Sequence, residues 1–330
     1  MSRATLSARI ERWPVVGAFT IARGAKTHVD VVVAEIAADG HVGRGEGTAI
    51  YYHGESADTV LAQVLAQADA IAGGMDRAEL QTRLPRGAAR NALDCALWEL
   101  EAHRRATPVW RLAGLPEPRP LVTAFTISLA DPARMEADAR ANAHLPLLKL
   151  KLAGEGDGAR VAAVRRGAPA ARLIVDANEA WSGRDVAREA DALAAHGVEL
   201  IEQPVRAGDD AMLAGIVSPI PLAADESCQD SADLARCLGR YAAINVKLDK
   251  CGGLTEALAL MADARAAGLE VMVGCMLATS LGIAPAFLVA VGARWVDLDG
   301  AALLAADRDP AMKLTNGVLA PPPPSLWGGR

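Results

Sequence analysis

The sequence predicts an α/β protein: a (β/α)8 TIM-type barrel with an N-terminal α+β capping domain. Three observations carry this. Residues 1–120 mix strand-like and helical patterns. From residue 121 short apolar, β-rich runs alternate with Ala-rich amphipathic segments such as GRDVAREADALAAHG and LTEALALMADARAAG. The alternation yields eight β-rich runs. Apolar strands separated by helices make a parallel sheet covered on its outer face, and eight such units close a barrel. The expected division is a cap at 1–120, joined by the C-terminal tail from about 305 to 330, and a barrel at 121–304.

In the first domain, HVDVVVAEIAADGHVGRGEG reads as two strands joined at Ala38-Asp39-Gly40. Helices are expected after Ser56 and Asp76, both good N-caps, and through GAARNALDCALWELEAHRR at 87–105. The barrel strands are expected at 123–129, 147–152, 172–177, 198–204, 221–227, 242–249, 270–276 and 295–300. The last lacks a full following helix, so the tail is expected to return to the first domain, with PPPPSLWGGR as a surface strap or loose end.

Composition narrows the function. The 330 residues are 52% hydrophobic with a net charge of -6, enough for a large core and unsuited to a nucleic-acid surface. MSRATLSARIERW has no apolar signal core. The uncharged stretch 271–293 is long enough to span a bilayer, but Gly274, Gly282 and Pro285 divide it into a strand and a helix. Five cysteines (95, 228, 237, 251, 275) form no CxxC pair, as expected of reduced thiols in a cytoplasmic protein. Neither nucleic acid nor membrane is an expected partner, and a homo-oligomer is compatible with the sequence.

Chemistry in such barrels sits where strands end. Those ends carry Lys149 and Lys151, Asp176 and Asn178, Glu202, Asp225 and Glu226, Lys247, Asp249 and Lys250, and Asp297 and Asp299. Asp176, Glu202 and Asp225 come from consecutive strands about 4.8 Å apart, close enough for their carboxylates to converge. Three ionised carboxylates crowd together only around a cation, and an all-oxygen set favours Mg²⁺. Any one of them alone reads as an N-cap of the following helix; three in register do not. Lys151 and Lys247 stand on the second and sixth strands of eight, on opposite sides of the ring. That is the arrangement inversion at one carbon needs, with one group removing a proton and the other returning it. A single lysine in a strand is ordinarily a snorkelling surface residue, but leucines and valines flank these. Lys149 shares a face with Lys151, and like-charge repulsion between them is expected to favour a neutral base. The six histidines show no ligand spacing, Trp98 and Trp110 read as core, and Gly252-Gly253 as a turn.

With these residues in place, the sequence resembles the enolase superfamily in its muconate lactonizing enzyme-like branch. KLK at 149–151, DAN at 176–178, EQP at 202–204, ADES at 224–227 and VKLDKCGG at 246–253 match its motifs in order. IARG at 21–24, GCMLATS at 274–280 and DLDG at 297–300 resemble the L-Ala-D/L-Glu dipeptide epimerases, although DLDG is not followed by proline here. The resemblance implies that Asp176, Glu202 and Asp225 bind Mg²⁺ and that Lys151 and Lys247 form the acid/base pair. It implies Asp297 and Asp299 for a dipeptide α-ammonium, Arg23 for a glutamate side chain, and Thr126, Lys149 and Cys275 as further substrate contacts. The implied reaction is epimerisation through an enediolate, in murein-peptide metabolism. A cycloisomerase or o-succinylbenzoate synthase-like lyase would share the metal and the lysines without needing the two aspartates. A non-catalytic binding protein would be marked by a lost ligand or lysine, and none is lost.

Overall fold

The computed structural model describes residues 3–21 and 24–329. Three strands, β1 (Thr5–Ile21), β2 (Gly24–Ala38) and β3 (His41–Thr48), form an antiparallel sheet in that order. β2 is the middle strand. Its Val29, Val31 and Val33 pack into a core shared with the barrel, while Val32, Ala34 and Ile36 pack into a second core on the other face. The turn into β3 falls at Asp39-Gly40, whose φ values of 53° and 78° suit a two-residue hairpin. The patterns above do not mark β1. Its Leu6, Ala8 and Ile10 alternate with polar residues, but Pro14 interrupts the run, and the pairing with β2 shifts between Pro14 and Phe19.

Helices begin where expected: Ser56 and Asp76 accept the backbone N–H of Thr59 (3.2 Å) and Glu79 (2.8 Å). The helix Ala88–Arg104 lies directly on β3. A Cβ on Gly43, Gly45 or Gly47 would fall 2.1, 2.0 or 2.3 Å from the carbonyl oxygens of Ala96, Ala92 and Ala88. Two strand residues advance about 6.7 Å and four helical residues about 6 Å, so the glycine and alanine ladders stay in step. The same helix grips the barrel: Arg90 donates to the carbonyls of Gly252 (3.2 Å) and Cys251, and Trp98 Nε1 donates to Thr255 Oγ1 (2.9 Å).

All eight expected barrel strands are present. After the short β4 (Leu121–Val122) come β5 (Phe125–Ile127), β6 (Leu147–Lys151), β7 (Arg172–Asp176) and β8 (Val198–Glu202). β9 (Leu222–Ala224), β10 (Ala243–Val246), β11 (Glu270–Gly274) and β12 (Trp295–Asp297) complete the ring. From β5 to β12 neighbours pair parallel in chain order. The ring closes where Ala124 N–H donates to Val296 O (2.8 Å) and Leu298 N–H to Thr123 Oγ1 (2.8 Å). Ala124, Leu147, Ile174, Leu200, Ala223, Ala243, Met272 and Trp295 form an apolar layer inside it, one residue at each strand.

The outer helices are less regular than eight strand-helix units require. Only a 3-10 turn (Asp210–Leu213) follows β8, and only short turns up to Cys237 follow β9. The uncharged stretch 271–293 resolves into β11 and the helix Ser280–Ala290, and no helix among the described residues is long and apolar enough to cross a membrane. The tail is neither loose nor superficial. β13 (Leu314–Thr315) and β14 (Val318–Leu319) form a hairpin, and β14 pairs with β4. Leu326 and Trp327 are then buried against the first domain. Trp327 Nε1 donates to Arg44 O (3.0 Å) and Cys95 O (3.3 Å), so the indole supplies the burial that four prolines could not foretell. All five cysteines are free thiols.

Candidate active site

Strand side chains alternate, so the residues two beyond the apolar layer point inward one level higher. They are Thr126, Lys149, Asp176, Glu202, Asp225, Asn245, Gly274 and Asp297. All but Gly274 are polar. A Cβ on Gly274 would lie 2.8 Å from Asn245 Oδ1 and 3.1 Å from Lys247 Cε, so its absence leaves room for both. This ring opens into a cavity of about 240 Å³ beneath the first domain. From the barrel, Thr126, Lys149, Lys151, Asp225, Lys247, Cys275, Asp297 and Asp299 line it.

The charges are paired. Lys149 Nζ lies 2.5 Å from Glu202 Oε2, 2.7 Å from Asp297 Oδ2 and 3.5 Å from Asp176 Oδ2. Lys151 Nζ donates to Asp176 Oδ2 (2.6 Å), and Lys247 Nζ to Asp225 Oδ2 (2.6 Å). Asn245 Nδ2 donates to Glu202 Oε1 (2.6 Å). Lysine–carboxylate pairing, rather than repulsion between Lys149 and Lys151, therefore organises the site. Burial disfavours the charged forms of Lys149 and Lys247, yet neighbouring acids (Asp297, Glu202 and Asp176; Asp225 and Glu202) raise both well above the usual lysine range. Burial also opposes ionisation of Asp225, but Lys247 and Lys250 hold its carboxyl well below the usual range. Glu202 goes the other way, pushed up to about 6 by burial and by Asp176.

Most of the residues read from the sequence meet here. Arg23 lies outside the described residues. Asp299 is not on the last strand with Asp297 but in the turn after it, where its Oδ2 accepts Thr126 N–H (2.7 Å) instead of capping the next helical turn. Burial and then Asp297 push its carboxyl up to about 7. Cys275 borders the cavity, its thiol donating to Asp297 O (3.4 Å). The cap side of the wall was missed: Lys26, Thr48, Tyr51 and Tyr52 line the cavity, with Lys26 Nζ 5.3 Å from the Tyr51 ring centre. Those residues sit in a hairpin and a loop, where no periodicity points them anywhere. Asn245 was also missed, although a lone amide in AAINV is a visible signal.

The donor set suits a hard divalent cation. Asp176, Glu202 and Asp225 are all at most 2% exposed, all offer oxygen, and stand at or just past the ends of three adjacent strands. Asn178 Oδ1, on the cavity wall, is buried without a hydrogen-bond partner among the described residues. The three carboxylates do not aim at one centre, because lysine ammoniums stand between them; among the described residues no ready-made cluster of three ligands is found. The donor chemistry, three carboxylates at the ends of neighbouring strands, fits the ion.

The comparisons agree with this architecture. A family model described as Enolase C-terminal domain-like matches residues 133–323. A second, Mandelate racemase / muconate lactonizing enzyme, N-terminal domain, matches residues 3–114. The chain belongs to this family within the enolase superfamily. It is 44% identical to the L-Ala-D/L-Glu epimerase of Escherichia coli (strain K12), over 94% of this chain and 97% of that one. It is also 44% identical to an N-acetyl-D-glutamate racemase of Pseudoalteromonas sp, over 77% and 81%. Among solved structures, an enolase family member from Agrobacterium tumefaciens with homology to dipeptide epimerases, holding sodium and L-Ala-L-Glu, superposes with a TM-score of 0.96 at 49% identity, covering 98% and 100%. The dipeptide epimerase of Enterococcus faecalis V583 with Mg and L-Leu-L-Tyr gives 0.89 at 30% identity, covering 98% of each chain.

Proposed function

We propose that this chain is a Mg²⁺-dependent dipeptide epimerase that inverts the α-carbon of a C-terminal glutamate residue in L-Ala-D/L-Glu. The observation that carries the reading is one small cavity entered by Lys151 and Lys247 from strands four places apart, with Asp297 and Asp299 on its wall. On this reading the first domain (1–120, with the tail from about 305) caps the barrel (121–304), and the enzyme works in the cytoplasm on murein-derived peptides.

Each lysine acts as base toward one isomer and as acid toward the other. One draws the α-proton from the face it commands, and its opposite number returns a proton from behind. Negative charge then collects on the substrate's carboxylate oxygens, where the Lys149 ammonium stands ready to stabilise it. Asp176, Glu202 and Asp225 would hold Mg²⁺, which supplies fixed positive charge against those same oxygens. Asp297 and Asp299 accept hydrogen bonds from the α-ammonium. Thr126 and Cys275 border the cavity beside these aspartates, and Arg23, as the resemblance implies, would offer its fork to the glutamate side-chain carboxylate.

A second reading, racemisation of an N-acylglutamate, is prompted by the Pseudoalteromonas relative. The two differ at the ammonium, which an N-acyl substrate lacks. L-Ala-L-Glu and N-acetyl-L-glutamate, each incubated with protein and Mg²⁺ in D₂O, decide between them by NMR. Loss of the glutamate α-proton signal with appearance of the other isomer is expected for the dipeptide. Exchange confined to N-acetylglutamate would replace the first reading with the second, and exchange in neither would reject both.

A further inference from the structure

We propose that Lys250 is the fixed counter-ion of Asp225 and sets the net charge of the acid cluster. Lys250 sits in the helical turn Leu248–Cys251 that follows β10, and it is 0% exposed. Lys149, Lys151 and Lys247 line the cavity; Lys250 does not. It reaches Asp225 from behind. Its Nζ lies 2.6 Å from Asp225 Oδ1, 2.6 Å from Asp225 O, 2.9 Å from Cys228 O and 2.9 Å from Asn245 O. An ammonium has three N–H donors, and here four acceptors surround it, so it has no capacity left for a substrate.

Two consequences follow from this placement. First, the oxygens of Asp225 are sorted. Oδ1 is committed to Lys250, and Oδ2, which meets Lys247, is the one offered to the cavity. Second, Lys250 reduces the charge of the cluster. Asp176, Glu202 and Asp225 together carry three negative charges when ionised. Lys149, Lys151 and Lys247 border the cavity where a substrate would sit, whereas Lys250 is enclosed by main-chain carbonyls away from it. Before the cavity lysines are counted, Lys250 lowers the charge of the three acids by one, from three negative charges to two. The metal part of this inference rests on the function proposed above; the counter-ion part rests on the contacts alone.

The test has two arms. In the first, the parent, Asp225→Asn, Lys250→Met and the double variant are melted without added metal. If Lys250 serves the Asp225 charge, removing that charge relieves the Lys250→Met defect, and the double variant melts above Lys250→Met. Should Lys250→Met alone give no folded protein, recovery of folded protein in the double variant counts the same way. A double variant no more stable than Lys250→Met would mean that Lys250 serves only the carbonyls of Cys228 and Asn245, which overturns the proposal. In the second arm, Tb³⁺ luminescence with Mg²⁺ competition gives the Tb³⁺/Mg²⁺ preference of the parent, Lys250→Met and Lys250→Arg. Restoring a third negative charge should raise that preference about tenfold or more in Lys250→Met, and Lys250→Arg should keep the parent's value. An unchanged ratio in Lys250→Met would refute the charge-setting role. Absence of metal binding in the parent would instead defeat the metal reading and leave the first arm to decide the counter-ion.

Discussion

Leu200 and Glu202 sit on the same strand, face the same way, and are at most 1% exposed. About 6.6 Å of strand separates them. One belongs to the apolar layer and the other to the charged ring above it, and the same depth of burial has opposite meaning in the two. Burying a leucine contributes roughly 1.5–3 kcal/mol to folding. Burying Glu202 disfavours its ionised form and pushes its carboxyl up to about 6. Repeated around eight strands, this two-residue step divides the barrel into a floor that holds it together and a mouth that strains against it. Burial alone cannot tell structure from chemistry; the partners can.

The sharpest break should come at the mouth. Lys151→Ala or Lys247→Ala is expected to slow epimerisation by about 10³-fold or more while the protein stays folded. Each variant should still exchange the α-proton of the one isomer facing its surviving lysine, as read by NMR in D₂O. Equal exchange of both isomers by both variants would contradict opposed bases. The next contrast lies within β8. Leu200→Ala should cost about 2–5 kcal/mol of stability in denaturant melts, yet spare turnover in the folded fraction. Glu202→Gln should reverse the pattern, losing activity and Mg²⁺ dependence while melting closer to the parent. The smallest effect is expected at Asp299. Its neutral form is favoured up to about pH 7, so the charge offered to an ammonium develops as pH rises through that value. In a pH series, kcat/KM for L-Ala-L-Glu should climb across this range. Asp299→Asn should flatten the climb and lower the plateau by about ten- to a hundredfold.

The floor and the mouth were unequally legible in the sequence. Strands were readable because apolar runs bounded by turns have few other uses, and all eight appear where expected. The ionisable residues were readable for the opposite reason: lysines among leucines, as in LLKLK, violate the local rule and call for partners. What escaped notice depends on pairing across long separations. Lys149 meets Asp297 across 148 residues, and no local pattern says that acids, not Lys151, govern it. Asp299 was expected on the last strand, 295–300, but that strand ends at Asp297 and Asp299 falls in the turn after it. β1 was hidden by Pro14, and the cap residues Tyr51 and Tyr52 by lying in a loop whose direction is set by tertiary contacts.

The buried tail has a consequence for how the molecule is made. Gly328 N–H donates to Glu99 Oε1 (3.3 Å), Gly328 O accepts Val109 N–H (2.9 Å), and the Trp327 indole closes over Arg44 and Cys95. The first domain therefore contains parts separated by as much as 283 residues of chain. A ribosome adding about 5–20 residues per second needs roughly 10–45 s to travel from the end of the helix Ala88–Arg104 to Trp327. Throughout that interval the nascent first domain lacks its last wall. The first domain completes its packing only once the segment around Trp327 has been made, and that segment acts as its latch.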